Sequence, residues 1–323
     1  MDLWQKNLTV DPITSLLSSE NNAIVYFTRR DLLEDNVKSV KILWKLPEAK
    51  KILKKQQNDG SWKYPAGKKH IRSQENYNQL ETYRILGELV EKYGFNREHA
   101  SIQKAAEFIF QFQTEEGDFR GIYGNQYATT YSPAIMELLI KAGYQDDSHI
   151  EKGFKWLLSM LQEDGGWIVP LRTSSKTLKQ ALNESDPIQP DRSKPFSHLV
   201  TGMVLRAFAA HPKYRKSDEA KKAGELLISR FFKNDKYPDR QSKNFWERVS
   251  FPFWFTDIIS ALDSLYFLGF NRNNPQIEGA LNFLRNIQNE NGTFNLKIVR
   301  GRDKDSFYWI CLAVCRLFKR YYE

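Results

Sequence analysis

Two ionisable side chains stand in apolar surroundings, Asp257 in "PFWFTDIIS" and His198 in "KPFSHLVTG". An aspartate among apolar neighbours is partly desolvated, which raises the pKa of its carboxyl and would let it donate a proton. A histidine at the start of an apolar helix can act as a general base or contact a ligand. The sequence therefore predicts both as candidate catalytic residues. The alternatives left open are a capping or salt-bridged aspartate and a histidine that hydrogen-bonds at a helix N-terminus.

Aromatic side chains recur at the N-terminal ends of the predicted inner helices that are described below. Those selected as candidate substrate-binding residues are Tyr77, Tyr131, Phe253, Trp254, Tyr308 and Trp309. An aromatic wall binds apolar chains, and its ring faces can stabilise a carbocation. Ordinary packing between helices is the alternative for each of them. Arg248, which with Arg240 and Lys243 precedes the Asp257 helix, could receive a diphosphate, although exposed loop cations are usually only solvated.

The two cysteines of the chain, Cys311 and Cys315, lie four residues apart on a predicted apolar helix. This spacing is typical of two buried, small, apolar side chains. A metal site needs more ligands than two. We therefore expect no metal and no cofactor.

The charge pattern limits the partners of the chain. Its net charge is +9, but the basic residues are scattered rather than arranged in a stripe. A solvated surface is the first interpretation, attraction to a diphosphate or an anionic membrane the second, and nucleic acid the third. No apolar run approaches the roughly 20 residues that span a bilayer, and no basic leader precedes an apolar core. We expect a cytoplasmic protein without a nucleic-acid partner, and we leave peripheral membrane contact open.

One short loop motif recurs several times along the chain. It reads "QQNDGSW" (56–62), "QTEEGDF" (113–119) and "QNENGTF" (288–294), and "LQEDGGW" (161–167) is a variant with its glutamine shifted by one. Glycine lets the chain turn sharply, and the aromatic residue that follows can cover a neighbouring helix end. The glutamine side chain can satisfy backbone groups at helix ends. The pattern predicts loops that staple one helix pair to the next and that carry no chemistry.

A pair of helices precedes each loop. In the last full copy an apolar helix ends at Gly269, and a second helix over 276–288 carries apolar residues at the spacing i, i+3, i+4, i+7. In each pair the first helix is apolar nearly all round and the second is amphipathic, which predicts an inner and an outer layer. Convincing strand alternation is absent. The sequence predicts an all-α double ring in one domain over 1–323, with rim insertions near 169–194 and 233–250.

The repeated loop resembles the QW repeat of squalene–hopene and oxidosqualene cyclases. The helix pair with its loop is similar to the repeat of protein prenyltransferase β subunits, and the resemblance covers roughly 23–320. It implies an (α/α)6 toroid with a central cavity lined by aromatic residues. In that superfamily the cavity holds an isoprenoid.

The chain departs from the chemical motifs of both families. Cyclases of this type protonate an alkene with the central aspartate of a DxDD motif, and the nearest match here is Asp146–Asp147, which is better explained as helix-capping acid in a turn. Prenyltransferases bind zinc through Asp-x-Cys and a later histidine. The resemblance places Asp257 at the aspartate, Ile259 at the cysteine and Trp309 at the histidine. A zinc site is therefore not expected.

Three functions remain open from the sequence. The first is an isoprenoid-handling enzyme similar to terpenoid cyclases or prenyltransferases, which binds an apolar chain with or without a diphosphate. The second is a non-catalytic binding or scaffold protein that has kept the toroid and lost the DxDD and zinc motifs. The third is a carbohydrate-active enzyme, since α/α toroids also host glycan chemistry. A closed aromatic pocket favours the first two, and a long polar groove favours the third.

Overall fold

The computed structural model describes residues 2–65, 74–174, 176–299 and 304–323. The α-helices in these ranges are α1 (Leu3–Lys6), α2 (Ile13–Leu17), α3 (Asn22–Phe27), α4 (Pro47–Leu53), α5 (Gln74–Gly87), α6 (Ala100–Phe110), α7 (Tyr131–Leu139), α8 (Ser148–Ser159), α9 (Pro170–Thr173), α10 (Leu178–Ala181), α11 (His198–Ala210), α12 (Asp218–Ile228), α13 (Ile258–Phe267), α14 (Pro275–Asn286) and α15 (Ser306–Tyr322). The predicted all-α class is confirmed.

Shorter elements extend or connect these helices. Helices α3, α5 and α7 continue as π-helical turns over Thr28–Leu32, Glu88–Lys92 and Ile140–Tyr144. The 3-10 turns in the described ranges lie at Val40–Lys45, Tyr214–Lys216 and Lys243–Glu247. Two short strands, β1 (Arg248–Val249) and β2 (Lys297–Ile298), pair in parallel.

The apolar helices α3, α5, α7, α11, α13 and α15 form the inner layer. Helix α7 packs against α5 and α11, and α13 packs against α11 and α15. Helix α15 also contacts α1, α2 and α3, so the last helix closes against the beginning of the chain. This contact makes the arrangement a closed toroid rather than an open superhelix. Burial follows the same scheme, because every residue from Ser132 to Leu139 is buried in α7.

The outer helices bury only one face. In α14 the buried residues are Ile277, Ala280, Leu281 and Leu284, which repeat at the predicted helical spacing. Side-chain caps start several of these helices. Asp147, predicted as a capping acid, is the N-cap of α8 and accepts a hydrogen bond from the backbone N–H of His149 at 2.9 Å. The predicted two-layer organisation is therefore observed.

The glutamine of each full repeat ties two helix pairs together, as the sequence predicts. Its side-chain nitrogen donates to the carbonyl of the loop glycine and to a carbonyl of the next unit. Gln113 Nε2 lies 2.9 Å from Gly117 O and 2.7 Å from His149 O at the start of α8. Gln56 and Gln288 make the corresponding pairs of bonds.

The loops also close one end of the ring. The backbone N–H of the loop aromatic residue donates to a hydroxyl on the following inner helix. The pairs are Trp62 with Thr82 at 2.9 Å, Phe119 with Ser132 at 3.0 Å and Trp167 with Thr201 at 3.0 Å. Only glycine fits the turn at Gly60, because φ is +90° and a Cβ would lie 2.2 Å from a backbone oxygen of α6. Ser132 and Thr201 lie in the first turns of α7 and α11, so their loops cover the N-terminal ends of these inner helices, whereas Thr82 lies in the middle of α5.

Residues 250–256, which we call the inner segment, enter the ring from that covered end. Phe251 stacks on Trp309 of α15 with ring centroids 5.4 Å apart. Trp254 lies 5.1 Å from the ring of Tyr83 and 6.1 Å from that of Tyr131. The inner segment therefore fills the part of the ring nearest the repeated loops and leaves the opposite part open. The preceding residues, predicted as a rim insertion, include the buried side chains of Tyr237 and Trp246.

Candidate functional site

The main cavity lies inside the ring, towards the C-terminal ends of the inner helices, and has a volume of about 610 Å³. Its floor is apolar, and the buried or half-buried side chains that form it are Phe27, Val90, Phe251, Phe253 and Ala313. Tyr266 and Phe267, which also line the cavity, are 37% and 38% exposed. Five inner-layer elements and the inner segment contribute to this lining. The volume is within the range of small-molecule pockets, roughly 300 to 1,000 Å³.

The rim of the main cavity is charged. Its cations are Arg30, Lys141, Arg316, Lys319 and Arg320, and its acids are Asp31, Glu91, Asp263 and Glu323. The π-helical turns after α3, α5 and α7 supply Arg30 with Asp31, Glu91 and Lys141 respectively. Such turns widen a helix at the point where it ends and are frequent at functional sites. Here they place charged groups at the mouth of an otherwise apolar ring.

The rim carboxylates are paired with the rim cations. Arg316 Nη2 lies 2.5 Å from Asp31 Oδ2, Lys141 Nζ lies 2.6 Å from Glu91 Oε1, and Arg320 pairs with Asp263. Burial would raise the pKa of Asp31, but Arg316 and Arg30 outweigh it, and that pKa lies below its ordinary value. An acid held ionised in this way is a poor proton donor. The rim is thus suited to binding charge.

A buried ionic cluster lies beneath the rim. Arg206 Nη2 and Nε approach Glu137 Oε2 at 2.5 and 2.7 Å, and Lys141 Nζ lies 2.8 Å from Glu137 Oε1. Burial would raise the pKa of Glu137, yet the two cations hold it below its ordinary value. Two smaller cavities flank the cluster, and Arg206 lines both. We call the one of about 200 Å³ beside the inner segment the inner cavity, and the one of about 210 Å³ beside Glu137 the side cavity.

Asp257 is a helix cap in the structure. Its Oδ1 accepts the backbone N–H of Ser260 at 2.8 Å, and its own N–H donates to Ser260 Oγ at 3.0 Å. Burial raises the pKa of Asp257 to about 7, against the hydrogen bond from Ser260 and the charge of Arg206. Asp257 is not part of the lining of the main, inner or side cavity. The geometry fits the capping alternative, and a raised pKa makes this carboxyl a weaker acid than alkene protonation requires.

His198 is buried behind the ring wall. Its Nδ1 lies 3.1 Å from Asp235 Oδ2, which also accepts the backbone N–H of His198 at 2.9 Å. The imidazole stacks on Trp246 with ring centroids 4.7 Å apart. It lines none of the three cavities named above. The geometry fits a histidine held at a helix N-terminus.

The predicted aromatic residues separate into two groups. Phe253 lines the main and inner cavities, and Trp254 lines the inner cavity. Tyr131 packs behind Trp254, and Trp309 packs behind Phe251. Of the predicted aromatic residues, those of the inner segment therefore line the cavities, whereas those at the N-terminal ends of the inner helices pack behind them.

The remaining predicted binding residues lie elsewhere. The ring of Tyr77 packs against Tyr64 with centroids 4.9 Å apart, and Tyr308 is half-buried against the core. The Arg248 guanidinium lies 4.7 Å from the centroid of Phe245. The three do not line the main cavity, because the repeated loops and the inner segment close the end of the ring at which these residues lie.

The charged rim was missed by the sequence interpretation. A signal for it was present in α15, where Arg316, Lys319 and Arg320 repeat at the spacing i, i+3, i+4 on a helix whose other residues are mostly apolar. A basic stripe on an inner helix must face the interior or the mouth of the ring. That inference needed the direction of each inner helix, which the repeat pattern alone does not give.

Comparison with known proteins supports the resemblance carried by the repeats. Residues 77–190, about a third of the chain, match the family model of the squalene-hopene cyclase C-terminal domain. No curated protein sequence matches the chain. The match and the helical ring support a terpenoid cyclase-like superfamily for this toroid.

The solved structures that are similar to this chain include proteins with different activities. A variant of the type II terpene cyclase MstE from Scytonema, in complex with geranylgeranyl dihydroxybenzoate, is 14% identical over 97% of this chain and 99% of that chain, with a TM-score of 0.48. A glycoside hydrolase family 76 mannosidase from Bacteroides thetaiotaomicron VPI-5482 is 13% identical over 98% and 86%, with a TM-score of 0.49. Likenesses at this level do not distinguish between the two activities.

Across residues 2–65, 74–174, 176–299 and 304–323, no helix combines the length and the apolar character needed to cross a membrane.

Proposed function

We propose that this protein binds an amphiphilic isoprenoid, with the apolar chain in the main cavity and an anionic head, such as a diphosphate, at the rim. The observation that carries the proposal is the apolar floor of Phe27, Phe251 and Phe253 beneath a rim in which five cations outnumber four acids. Apolar contact and water exclusion would drive chain binding. Arginine forks suit phosphate oxygens, and the rim contains three of them.

The described lining argues against a glycan ligand. A glycan site would use a long groove with Trp, Asn, His and Tyr side chains, and of these types the described lining of the main cavity includes only Tyr266. The floor is instead formed by phenylalanine and aliphatic side chains. The aromatic, enclosed floor favours an apolar chain.

Binding without turnover is the form of the function that the charges favour. Arg316 and Arg30 hold the pKa of the rim acid Asp31 below its ordinary value although burial would raise it, so this carboxyl is a poor proton donor. The rim acids Glu91 and Asp263 form ion pairs with Lys141 and Arg320. We expect farnesyl diphosphate to be recovered unchanged after incubation with the protein. Asp257→Asn, assayed for turnover, tests the alternative that the protein is an enzyme. If the native protein shows a measurable activity and this variant loses it, Asp257 is a catalytic residue.

Isothermal titration calorimetry with farnesyl diphosphate tests the proposal. Farnesol lacks the head and pyrophosphate lacks the chain, so each should bind at least about ten-fold more weakly than the complete molecule. Arg30→Gln should weaken binding of farnesyl diphosphate about ten-fold by removing one charged hydrogen-bond donor at the rim. The matched control is Arg29→Gln, because Arg29 precedes it in the same π-helical turn and lies outside the lining.

A second variant addresses the chain-binding part. Ala313 lines the floor of the main cavity, and Ala313→Trp would fill space that the chain needs. We expect this variant to lose farnesyl diphosphate while the pyrophosphate affinity is unchanged. Equal binding of farnesyl diphosphate by Ala313→Trp and the native protein would overturn the proposed placement.

A further inference from the structure

Positive charge is concentrated in residues 38–55, which we call the lysine segment. The segment contains seven lysines and one glutamate, so its net charge is +6 within a chain whose net charge is +9. The basic residues are thus less evenly distributed than expected. The segment forms a 3-10 turn and the outer helix α4, and its lysines, all of them exposed, are Lys38, Lys41, Lys45, Lys50, Lys51, Lys54 and Lys55.

Most of these lysines have no acidic partner. Lys41 forms an ion pair with Glu98, and the other six form none with an acid of the described residues. Lysines at the C-terminal end of α4 complement the helix dipole, but Lys38 and Lys45 precede that helix and have no such role. The charge of the segment is therefore available to an external anion.

The 3-10 turn of the segment, Val40–Lys45, is amphipathic. In such a turn, residues three positions apart lie one above the other. Val40 shares its face with the buried Leu43, whereas Ile42 shares its face with Lys45 and is 41% exposed. An exposed aliphatic side chain among lysines is typical of segments that lie in the interface of a membrane.

The lysine segment lies next to the mouth of the main cavity. Val40 packs against Gly94, since a Cβ at Gly94 would lie 2.4 Å from Val40 Cγ2. Trp44 Nε1 also donates a hydrogen bond to the Gly94 carbonyl oxygen at 3.3 Å. Gly94 lines the main cavity, as do the partly exposed rings of Tyr266 and Phe267. A surface bound by the segment would therefore lie beside the mouth.

The composition of the segment favours a lipid surface over a nucleic acid or a peptide. It contains no arginine, although the planar arginine fork is preferred for nucleic acids and for ion pairs between proteins. The ring of Trp44, which would otherwise offer a base a stacking surface, is stacked on Phe95 with centroids 5.2 Å apart. Clusters of roughly four to eight basic residues are instead suited to the negative surface of an anionic bilayer.

We propose that the lysine segment docks the protein on an anionic lipid bilayer, with its lysines at the headgroups and Ile42 in the interfacial layer. The inference goes beyond the proposed isoprenoid binding and does not require it, because the lysines and Ile42 lie outside the lining of the main cavity. Docking would bring the mouth close to the lipid phase, into which an isoprenoid partitions.

Cosedimentation of the full chain with lipid vesicles, without any isoprenoid, tests the inference. Vesicles of phosphatidylcholine with about one third phosphatidylserine should bind the protein at least about a hundred-fold more tightly than vesicles of phosphatidylcholine alone. This binding should be lost in about 1 M salt, where the Debye length falls to about 3 Å. Equal binding to the two kinds of vesicle, or binding to neither, would overturn the inference.

A triple variant locates the docking surface. Each lysine near an anionic bilayer strengthens binding about five-fold, so Lys45→Gln, Lys50→Gln and Lys54→Gln together should weaken it about a hundred-fold. The matched control removes the same charge from exposed lysines of α6, α8 and α12, through Lys104→Gln, Lys155→Gln and Lys221→Gln. We expect the control to change the affinity by less than about five-fold. Equal losses in the two triple variants would refute the assignment to the lysine segment.

A single variant tests the apolar part of the docking surface. Ile42→Ser should weaken binding to the anionic vesicles about ten-fold, because it removes an aliphatic side chain from the interfacial layer. Leu3→Ser is the matched control, since Leu3 is 58% exposed and lies outside the segment. Equal effects of the two substitutions would contradict the placement of Ile42 in the bilayer interface.

Two further measurements separate this inference from its alternatives. Binding of a short DNA duplex without binding of anionic vesicles would assign the segment to nucleic acid and overturn the inference. Affinity for farnesyl diphosphate without vesicle binding would contradict only the docking inference. Vesicle binding without affinity for farnesyl diphosphate would support docking and contradict only the proposed function.

Discussion

The buried cap Asp257 gives a prediction about stability and pH. Its carboxyl is 1% exposed, and Oδ2 has no hydrogen-bond partner in the described part of the chain. Burial raises the pKa to about 7 in the folded protein, against a value of 3.8 for the free carboxyl. Between these two values the folded state binds more protons than the unfolded state. The free energy of unfolding must therefore fall as the pH rises from about 4 to 7.

The size of the effect follows from the two pKa values. The shift from 3.8 to about 7 is about three units, and each unit corresponds to about 1.4 kcal/mol. Ionised Asp257 thus costs the folded state about 4 kcal/mol at pH 8 and about 1 kcal/mol at pH 4.5. Asp257→Asn keeps the cap, since asparagine is as good an N-cap as aspartate, and it removes the charge.

We expect Asp257→Asn to exceed the native protein in free energy of unfolding by about 4 kcal/mol at pH 8 and by about 1 kcal/mol at pH 4.5. Urea unfolding at both pH values measures this difference. Asp257→Ser, another neutral N-cap, should show the same change in its free energy of unfolding relative to the native protein between the two pH values. Its smaller side chain shifts the free energy of unfolding by a constant amount at both pH values. Parallel curves for native and Asp257→Asn protein across this range would refute the argument that the buried carboxyl is destabilised by ionisation.

Two further predictions concern the repeated loops, and urea or thermal unfolding measures both. Gln113→Ala removes hydrogen bonds of 2.9 and 2.7 Å and should lower the free energy of unfolding by about 2 kcal/mol. Gln111→Ala, at an exposed position two residues earlier, should change the free energy of unfolding by no more than about 0.5 kcal/mol. Equal losses of stability in the two variants would contradict the role of Gln113 in joining two helix pairs. Gly60→Ala should cost about 3 kcal/mol or more, because φ is +90° and the new Cβ meets backbone at 2.2 Å. Gly279→Ala, on an open helix face, should stabilise the protein by about 0.5 to 1 kcal/mol. If Gly279→Ala instead destabilised the protein as much as Gly60→Ala, the effect at Gly60 would not come from its local geometry.

The fold could be predicted because the same pair of helices, followed by the same type of loop, recurs several times along the sequence. Each copy gives an apolar helix, an amphipathic helix and a loop with glutamine, glycine and an aromatic residue in fixed order. The hydrogen bonds of Gln56, Gln113 and Gln288 show why the order matters, since one side chain must reach both its own loop and the next unit. Where Leu161 stands at the glutamine position, the side-chain nitrogen of the adjacent Gln162 donates to the carbonyls of Asp191 and Lys194 at 2.7 and 3.4 Å instead.

The site was harder to predict because it depends on which end of the ring is open. Sequence patterns place Tyr77 and Tyr308 at helix N-terminal ends, but they do not show that the loops cover those ends. Nor do they show that residues 250–256 turn inward and carry Phe253 to the cavities. Both facts depend on contacts between residues far apart in the chain.

The distribution of charge in the ring suggests how binding and catalysis differ here. A cyclase of the type that the repeats resemble needs an acid strong enough to protonate an alkene, which requires a carboxyl that is protonated and yet has a well-stabilised anion. Among the acids that face the main cavity, Asp31 has a stabilised anion, because Arg316 and Arg30 hold its pKa below the ordinary value. Glu91 and Asp263 form ion pairs with Lys141 and Arg320. The carboxyl that holds its proton, Asp257, is instead a weak acid that caps a helix outside the cavities. These two properties are divided between different residues, which is the physical reason that we favour a binding protein over a cyclase.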